Sequence, residues 1–482
     1  MATFQELSNT VVVVDYFNII MVEEQEEFAD PQFDVFQNEK IDVSTSGVWV
    51  SIIPPTEALD NDGDIRFQLD GEEKYWMQWG ESKVVVEARI LKSDGAGRWI
   101  DLAANDHVIF INNSAHSIFK DVKVKINQQN VEGGNNMYAW LAYMNNLLQF
   151  NQAAKGTSMI SQGFHLPVKT QTLTNDDKGK PVKVAIKDWT DVDNSVNKAL
   201  VTATRNKYLH FSFPLKVNIF QQGKSCPPGF KLEITLVRNS PEFCLVELDA
   251  ATAGQQYKVV IRKCVLHMPM IHPHAQLQAQ IANKRKHNSI LYQFNHLSCF
   301  RQTVTSGVQS KVFHNIFQDN QPKLAVFALI PADVWLKTTA RPFIFQKHGL
   351  TEITLRTQGQ TISGESTDCD NDMEVYTKFN QALDIFNSNQ DVGIDFDQFR
   401  QYSFLLTFDC TTGSNVQDIQ EPSKRKYDVE LKFSKPTTKN FDLLAFFIED
   451  KRVILQSNNN VVPNDFVVAD ISPPDSKRRR IK

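Results

Sequence analysis

Three histidines lie close together in this chain, His267, His272 and His274, and imidazole is a common side-chain ligand for zinc. Their spacing fits no zinc-ligand pattern, and Pro273 stiffens the stretch that carries them. They read as connector histidines, and no metal is expected. Two acidic triplets, Asp60, Asp62, Asp64 and Asp368, Asp370, Asp372, have the alternate spacing that opens an EF-hand calcium loop. That loop also needs Gly at its sixth position and Glu at its twelfth. The first triplet offers Ile65 and Gly71 there, and the second Met373 and Phe379, so both read as solvated acidic loops. The sequence has no G-x-S-x-G, no H-E-x-x-H, no phosphate-cradling glycine loop and no nucleophilic cysteine signature. No catalytic residue and no cofactor is expected, and the chain reads as a non-enzyme.

The most specific local signal is at the C-terminus. Lys477, Arg478, Arg479, Arg480 and Lys482 form a basic cluster behind Pro473 and Pro474. Such a cluster suits an importin groove or DNA phosphates; the alternative is a solvated tail. The opposite end is acidic. Glu6, Asp15, Glu23, Glu24, Glu26, Glu27, Asp30, Asp34 and Glu39 face one base, Lys40. This arm also carries Val11–Val14, Tyr16, Phe17, Ile19, Ile20 and Met21, too apolar a set to stay free in water. It reads either as an arm that docks on a neighbouring subunit or as a piece that completes its own domain. The net charge of −5 averages these two ends over a nearly neutral body, which rules out coating nucleic acid with the whole surface.

Cys226, Cys244, Cys264, Cys299, Cys369 and Cys410 form no C-x-x-C pair. Six cysteines in 482 residues fit buried free thiols in a reducing compartment better than a disulfide scaffold. Asp15 and Asn18 interrupt the apolar run Val11–Val14 and no basic region precedes it, so it does not read as a signal peptide. The longest apolar run, Leu324–Ile330, is far too short to span a membrane. A soluble, intracellular product is expected.

The elements that must carry these residues are mostly strands. A hydrophobic fraction of 41% supports a large core, and 33 Phe lean towards pleated, half-buried surfaces. Val122, Val124 and Ile126 alternate with Lys123 and Lys125, and Leu232, Ile234 and Leu236 with Lys231, Glu233 and Thr235. Ile353 and Leu355 alternate with Glu352 and Thr354, and Val429, Leu431 and Phe433 with Asp428, Glu430 and Lys432. Period two with one polar face predicts antiparallel sandwich strands. Polar clusters at Asn127–Asn130 and Gln358–Gln360 predict turns between them.

The pattern repeats. Phe211-Ser212-Phe213 matches Tyr402-Ser403-Phe404, each taken as a strand start. Phe230–Ile234 matches Tyr427–Leu431, and Tyr257–Leu266 matches Phe441–Ile448, at offsets of roughly 190 residues. Amphipathic segments at Met137–Leu148 and Val375–Phe386 precede each set. The first copy holds about 47 extra residues within Asn151–Lys207, read as a surface excursion. Pro269 and Pro273 end the first copy, and Gln276–His287 suits a helix. The expected division is an arm at 1–44, a first domain at 45–270 with its long loop at 151–207, a linker at 271–295, a second domain at 296–468 and a basic tail at 469–482.

Several of these runs resemble double jelly-roll major capsid proteins, those of Polinton/Maverick elements and adintoviruses above all. Phe211–Leu215, Phe220, Gly229–Leu236 and Ser240–Leu245 resemble the end of that family's first jelly roll. Ser114–Val124 with Asn127, then Tyr138–Leu141, are similar to its strand, turn and helix. Tyr257–Lys263 and His272–Ala275 resemble its last strand and crossing segment. Phe313–Phe317, Pro322, Ala328 and Leu329 resemble the start of its second half. The likeness covers most of 100–465 and leaves 1–99 and 151–207 unmatched.

The resemblance implies an all-β chain of two tandem eight-stranded jelly-roll sandwiches with short helices in the loops. It implies a major capsid protein whose homotrimers form pseudo-hexagonal capsomers that tile an icosahedral shell around DNA. Neighbouring capsomers, a vertex (penton) protein and minor capsid proteins would be its partners. The loop 151–207 would be an outer tower, and the tail would meet importin or genomic DNA. The chain would be made in host cytoplasm, assembled in the nucleus and found in the virion. The competing readings are a tandem jelly-roll glycan-binding protein or hydrolase, and a nuclear DNA-binding scaffold. Deleting Lys477–Lys482 is expected to abolish nuclear accumulation of a fluorescent fusion; unchanged accumulation in live-cell images removes the import role.

Overall fold

The computed structural model describes residues 45–464, apart from 60–61, 72–73, 104–105, 107, 166–172, 176–180, 184–206, 248–254, 337–340, 363, 387, 412–424 and 457–460, together with the backbone of 11–15 and 18–22. Met1–Thr45 forms one compact unit and Ser46–Lys482 another. In the first, Val11–Asp15 pairs antiparallel with Asn18–Val22.

The larger unit contains one strand arrangement twice. In the first copy, one sheet has the order Thr45–Ile53, Tyr257–Pro273, Lys83–Ser93, Leu209–Phe213. The facing sheet has the order Ile65–Leu69, Leu232–Arg238, Phe119–Ile126, Gln129–Glu132. In the second copy the orders are Ile290–Val304, Phe441–Leu455, Leu324–Pro331, Leu406–Asp409 and Ser310–Phe313, Tyr427–Phe433, Leu350–Thr357, Gln360–Thr361. Matching these lists position by position puts each strand on its counterpart in the same chain order. The last strand of each copy lies beside the first, which is jelly-roll topology. The fold is therefore all-β, a double jelly roll with short helices in its connections.

The side-chain alternation behaves as its period requires. Val122, Val124 and Ile126 are buried while Lys123 and Lys125 are half exposed, and Tyr427–Phe433 alternates in the same way. Leu324–Ile330 is buried at every position, as a continuous apolar run in a central strand should be. The same hairpin recurs in both rolls. Asn127 (φ 47°) and Gln128 (φ 70°) turn the first, and Gln358 (φ 51°) and Gly359 (φ 82°) turn the second. Two positive φ angles in a two-residue turn match strand twist. A helix follows each hairpin, Tyr138–Gln149 in the first roll and Asp372–Ala382 in the second.

Local expectations are corrected at four places. Phe211–Phe213 ends the strand Leu209–Phe213 instead of starting it, and the start of 151–207 is no surface excursion, since Lys155, Met159, Gln162 and Phe164 are buried. Tyr402 does not start a strand. Asp395 and Gln398 form a capping box that opens the helix Phe396–Tyr402, and the strand begins at Leu406. Pro269 does not end its strand, which runs on to Pro273. It sits where that strand exchanges Lys83–Ser93 for Trp76–Met77 as its neighbour, and its carbonyl accepts from the Gln78 N–H at 2.9 Å. A residue with no N–H is tolerated where the ladder changes partner. Within 151–207, short helical turns occupy Gln152–Gly156 and Ser158–Gln162, and Leu173–Asn175 pairs with Pro181–Lys183.

The rolls share their cores. The helix Tyr138–Gln149 is buried almost all round, which is the condition for an apolar helix on every face. Tyr138 and Ala142 enter the first roll's core, while Trp140, Tyr143, Met144 and Leu147 enter the second's. Tyr143 stacks on Phe343 with centroids 4.2 Å apart, and Trp140 meets Phe343 at 5.1 Å and Trp335 at 5.3 Å. In return, Tyr292, Val453, Leu455 and Val461 from the second roll's strands complete the first core. Tyr292 packs on Trp79 at 5.1 Å and donates its hydroxyl to the Ser225 carbonyl at 2.9 Å. Each aromatic pair contributes about 0.5–1.5 kcal/mol beyond its buried area.

Polar contacts cross the same seam. The Asn218 N–H donates to Glu132 at 3.0 Å, and Asn218 Oδ1 accepts from the Leu297 N–H at 3.0 Å. Glu132 faces the His296 ring at 3.7 Å, and His296 in turn faces Glu449 at 3.4 Å. Burial pushes the Glu132 carboxyl above its usual range, partly offset by His296. Lys155 is buried and donates to the carbonyls of Leu147 in the first roll and Val392 in the second. Gly393 (φ 61°) allows this approach, since a Cβ there would come within 2.8 Å of the Gln152 backbone. Burial lowers the Lys155 amine to about 7, with Asp391 opposing the shift.

The linkage has a definite sign. Between pH 7 and 10 the unfolded chain holds a proton on Lys155 that the folded chain has released, so this group's contribution to stability rises with pH. It is lost as pH falls towards 7. Lys155→Met is expected to flatten the pH dependence of the melting temperature over that range relative to the parent chain. Equal slopes in thermal melts would refute the assignment.

Candidate assembly interface

The residues that suggested chemistry are held apart. His267 lies on the strand Tyr257–Pro273, and burial with Lys83 and Lys263 nearby lowers its imidazole. His272 is engaged by Ser46, whose Oγ lies 2.5 Å from Nδ1 and donates to the His272 carbonyl at 2.9 Å. His274 stands at the start of the helix Ala275–Arg285. Asp368 accepts the Asp370 N–H at 2.8 Å, Asp370 pairs with Lys347, and Asp372 opens the helix capped by Asn371. Asp62 pairs with Lys258 at 2.8 Å, and Asp60 lies outside the described residues. Among the described residues no three His, Cys, Asp or Glu side chains converge as a metal site. The tail, Lys477, Arg478, Arg479, Arg480 and Lys482, lies outside the described residues.

The buried titratable groups that sequence spacing did not single out are structural. All six cysteines are free and buried, and burial pushes the thiols of Cys244, Cys264 and Cys369 up to about 12. They are neutral and unreactive at physiological pH. His116 is fully buried between Tyr138 Oη (2.8 Å) and Gln162 Oε1 (3.0 Å), and burial lowers it to about 3. Asn146 donates to the same Gln162 oxygen at 3.2 Å and to Asn113 at 3.0 Å. This network ties the loop ahead of Phe119–Ile126 to the seam helix and orders the core. It offers no exposed nucleophile or acid.

Among the described residues, one edge of the body exposes a run of apolar side chains. Thr45–Ile53 is the terminal strand of its sheet and is largely exposed along both faces. Val48 is 60% exposed, Trp49 40%, Val50 52% and Ile52 62%. An exposed edge strand with uncharged, apolar side chains is the kind of surface that other chains or segments cover. Trp49 packs edge-on against Tyr75 at 4.2 Å, and Tyr75 meets the His272 ring at 5.7 Å. In the second roll Leu336, Met373 and Phe386 are exposed. Sequence reasoning missed this edge because Val48–Ile52 reads like any core strand; which strand ends a sheet depends on topology. No helix among the described residues is long and apolar enough to cross a membrane.

No family model matches the chain. An uncharacterized protein of Caenorhabditis elegans, F54H12.2, is 20% identical over 405 residues, spanning 80% of this chain and 90% of that protein. Among solved structures, a chain of the Sputnik virophage determined by cryo-EM is 12% identical with a TM-score of 0.60, covering 93% of this chain and 97% of its own. The Faustovirus major capsid protein is 10% identical with a TM-score of 0.52, covering 88% and 93%. The VP54 protein of PBCV-1 is 10% identical with a TM-score of 0.51, covering 89% and 100%. These likenesses run the length of both partners, and the chain carries the double jelly-roll fold of viral major capsid proteins.

Proposed function

We propose that this chain is the major capsid protein of a Polinton/Maverick–adintovirus type of element. The observation that carries the reading is the likeness to the Sputnik chain, which covers 93% of this chain and 97% of that one, so that both rolls fall within it. A shared fold alone hosts many functions. In this chain the two rolls also bury side chains in each other's cores, a geometry suited to tiling. Three copies of a two-roll block give six similar lobes, and a heterologous contact that closes by three-fold rotation makes the pseudo-hexagonal capsomer. Capsomers would then tile an icosahedral shell around DNA, with vertex and minor capsid proteins as partners.

The finer parts rest on sequence. The basic tail Lys477–Lys482 is assigned to nuclear import, with genome contact as a second role, which places assembly in the host nucleus. Of the loop 151–207, the part beyond His165 is assigned to the outer tower, since Lys155, Met159 and Phe164 are buried in the body. The division into rolls at 45–270 and 296–468 is proposed with the joint 271–295 entered from either side by the strands Tyr257–Pro273 and Ile290–Val304. A permanent trimer should bury well over about 2,000 Å² per interface around an apolar centre. The exposed strand Thr45–Ile53 supplies part of such a centre.

Light scattering on the purified chain should give three times its 55.0 kDa mass, and negative-stain images should show three-lobed or hexagonal particles. A monomer at micromolar concentration, with no particles, would overturn the capsomer and favour the glycan-binding alternative.

A further inference from the structure

The helix Ala275–Arg285 joins the two rolls and has 11 residues, yet none of its side chains is buried. Helices this short are marginal in water unless packing supports one face. Leu277 and Ile281, one turn apart, are only half covered. Beside the helix lies a groove of about 360 Å³ lined by Trp76, Pro227, Pro228, Ile281 and Ala282 together with polar Gln278 and the cations Arg285 and Lys286. Arg285 is held in place, its guanidinium 4.8 Å from the Phe230 ring centroid and donating to the Pro228 carbonyl at 3.2 Å. Lys284, Lys286 and His287 are exposed. The sequence has no Asp or Glu between Asp249 and Asp319.

The groove thus has apolar and proline walls with a cationic lip, and its complement is an acidic peptide that also carries aromatic side chains. The chain contains one. Glu23, Glu24, Glu26, Glu27, Asp30 and Asp34 alternate with Phe28, Phe33 and Phe36. The assembly reading brings many copies of the chain together, so the stretch is taken from another copy. We propose that the groove beside Ala275–Arg285 seats the acidic stretch Glu23–Glu39 of a second copy of this chain. The aromatic rings lie on Trp76 and the prolines, and the carboxylates meet Lys284, Arg285 and Lys286. The inference rests on the self-assembly reading and deepens it by naming one contact. Nucleic acid would use the lysines but not the apolar walls.

The test uses the full chain with the photo-crosslinker p-benzoylphenylalanine in place of Ala282. Isotope-labelled and unlabelled chains are mixed, assembled, irradiated and mapped by mass spectrometry. Cross-links from position 282 into residues 22–39, joining labelled to unlabelled chains, are expected. Lys284→Glu with Lys286→Glu should cut their yield at least tenfold. Cross-links within one chain, to another segment or to co-purified nucleic acid would overturn the proposal. Light scattering on the same sample separates the two readings. Trimers without the cross-link overturn this docking alone, and monomers overturn both.

Discussion

Mutual burial of each roll's side chains in the other's core is the contact on which the rest of the structure depends. Trp140 and Tyr143 leave the first roll to pack on Trp335, Phe343 and Phe345, and Tyr292 returns from the second to pack on Trp79. Neither core is complete without the other. A flexible tether would let two sandwiches swing, because interfaces between domains of one chain are ordinarily modest and polar. Here the helix Tyr138–Gln149 belongs to both cores, so a swing would expose rings on two sides at once. The Glu132, Asn218 and His296 contacts and the Lys155 bridge to Val392 then fix register where the apolar contacts fix proximity.

Such rigidity suits the assembly role proposed above. A block whose two lobes hold a constant angle presents the same flanks every time, which repeated tiling requires. The buried titratable groups fit this role. The thiols are pushed up by burial and His116 is pushed down, so both stay neutral through the physiological range. The chemistry left at the surface is that of contact: apolar side chains on Thr45–Ile53 and cations at the end of Ala275–Arg285.

Much of the fold was legible before any coordinates. Alternation of apolar and polar residues in Phe119–Ile126 and Tyr427–Phe433 is set by the pleat, so it survives in the sequence. The hairpin turns at Asn127–Gln128 and Gln358–Gly359 were legible because polar clusters with Asn or Gly interrupt the apolar alternation there. The misplaced strand start at Tyr402 has a local cause. A Phe-rich segment serves helix or strand equally, and the capping box at Asp395 decided for helix. Pro269 misled because a proline inside a strand is tolerated only where pairing changes, and pairing is non-local.

The sequence by itself determined that the chain is β-rich, duplicated, poor in catalytic motifs and charged at its ends. These properties are periodic or compositional, and each is written in residues near one another along the chain. Only the tertiary structure decided which helix the two cores share, which apolar strand lies at an edge and which cations line a groove. Trp140 and Phe343 are some 200 residues apart, and nothing local marks one as the other's partner. Their pairing exists because closing two sandwiches leaves an uncovered apolar face on each. The least costly way to remove both from water is to press one against the other.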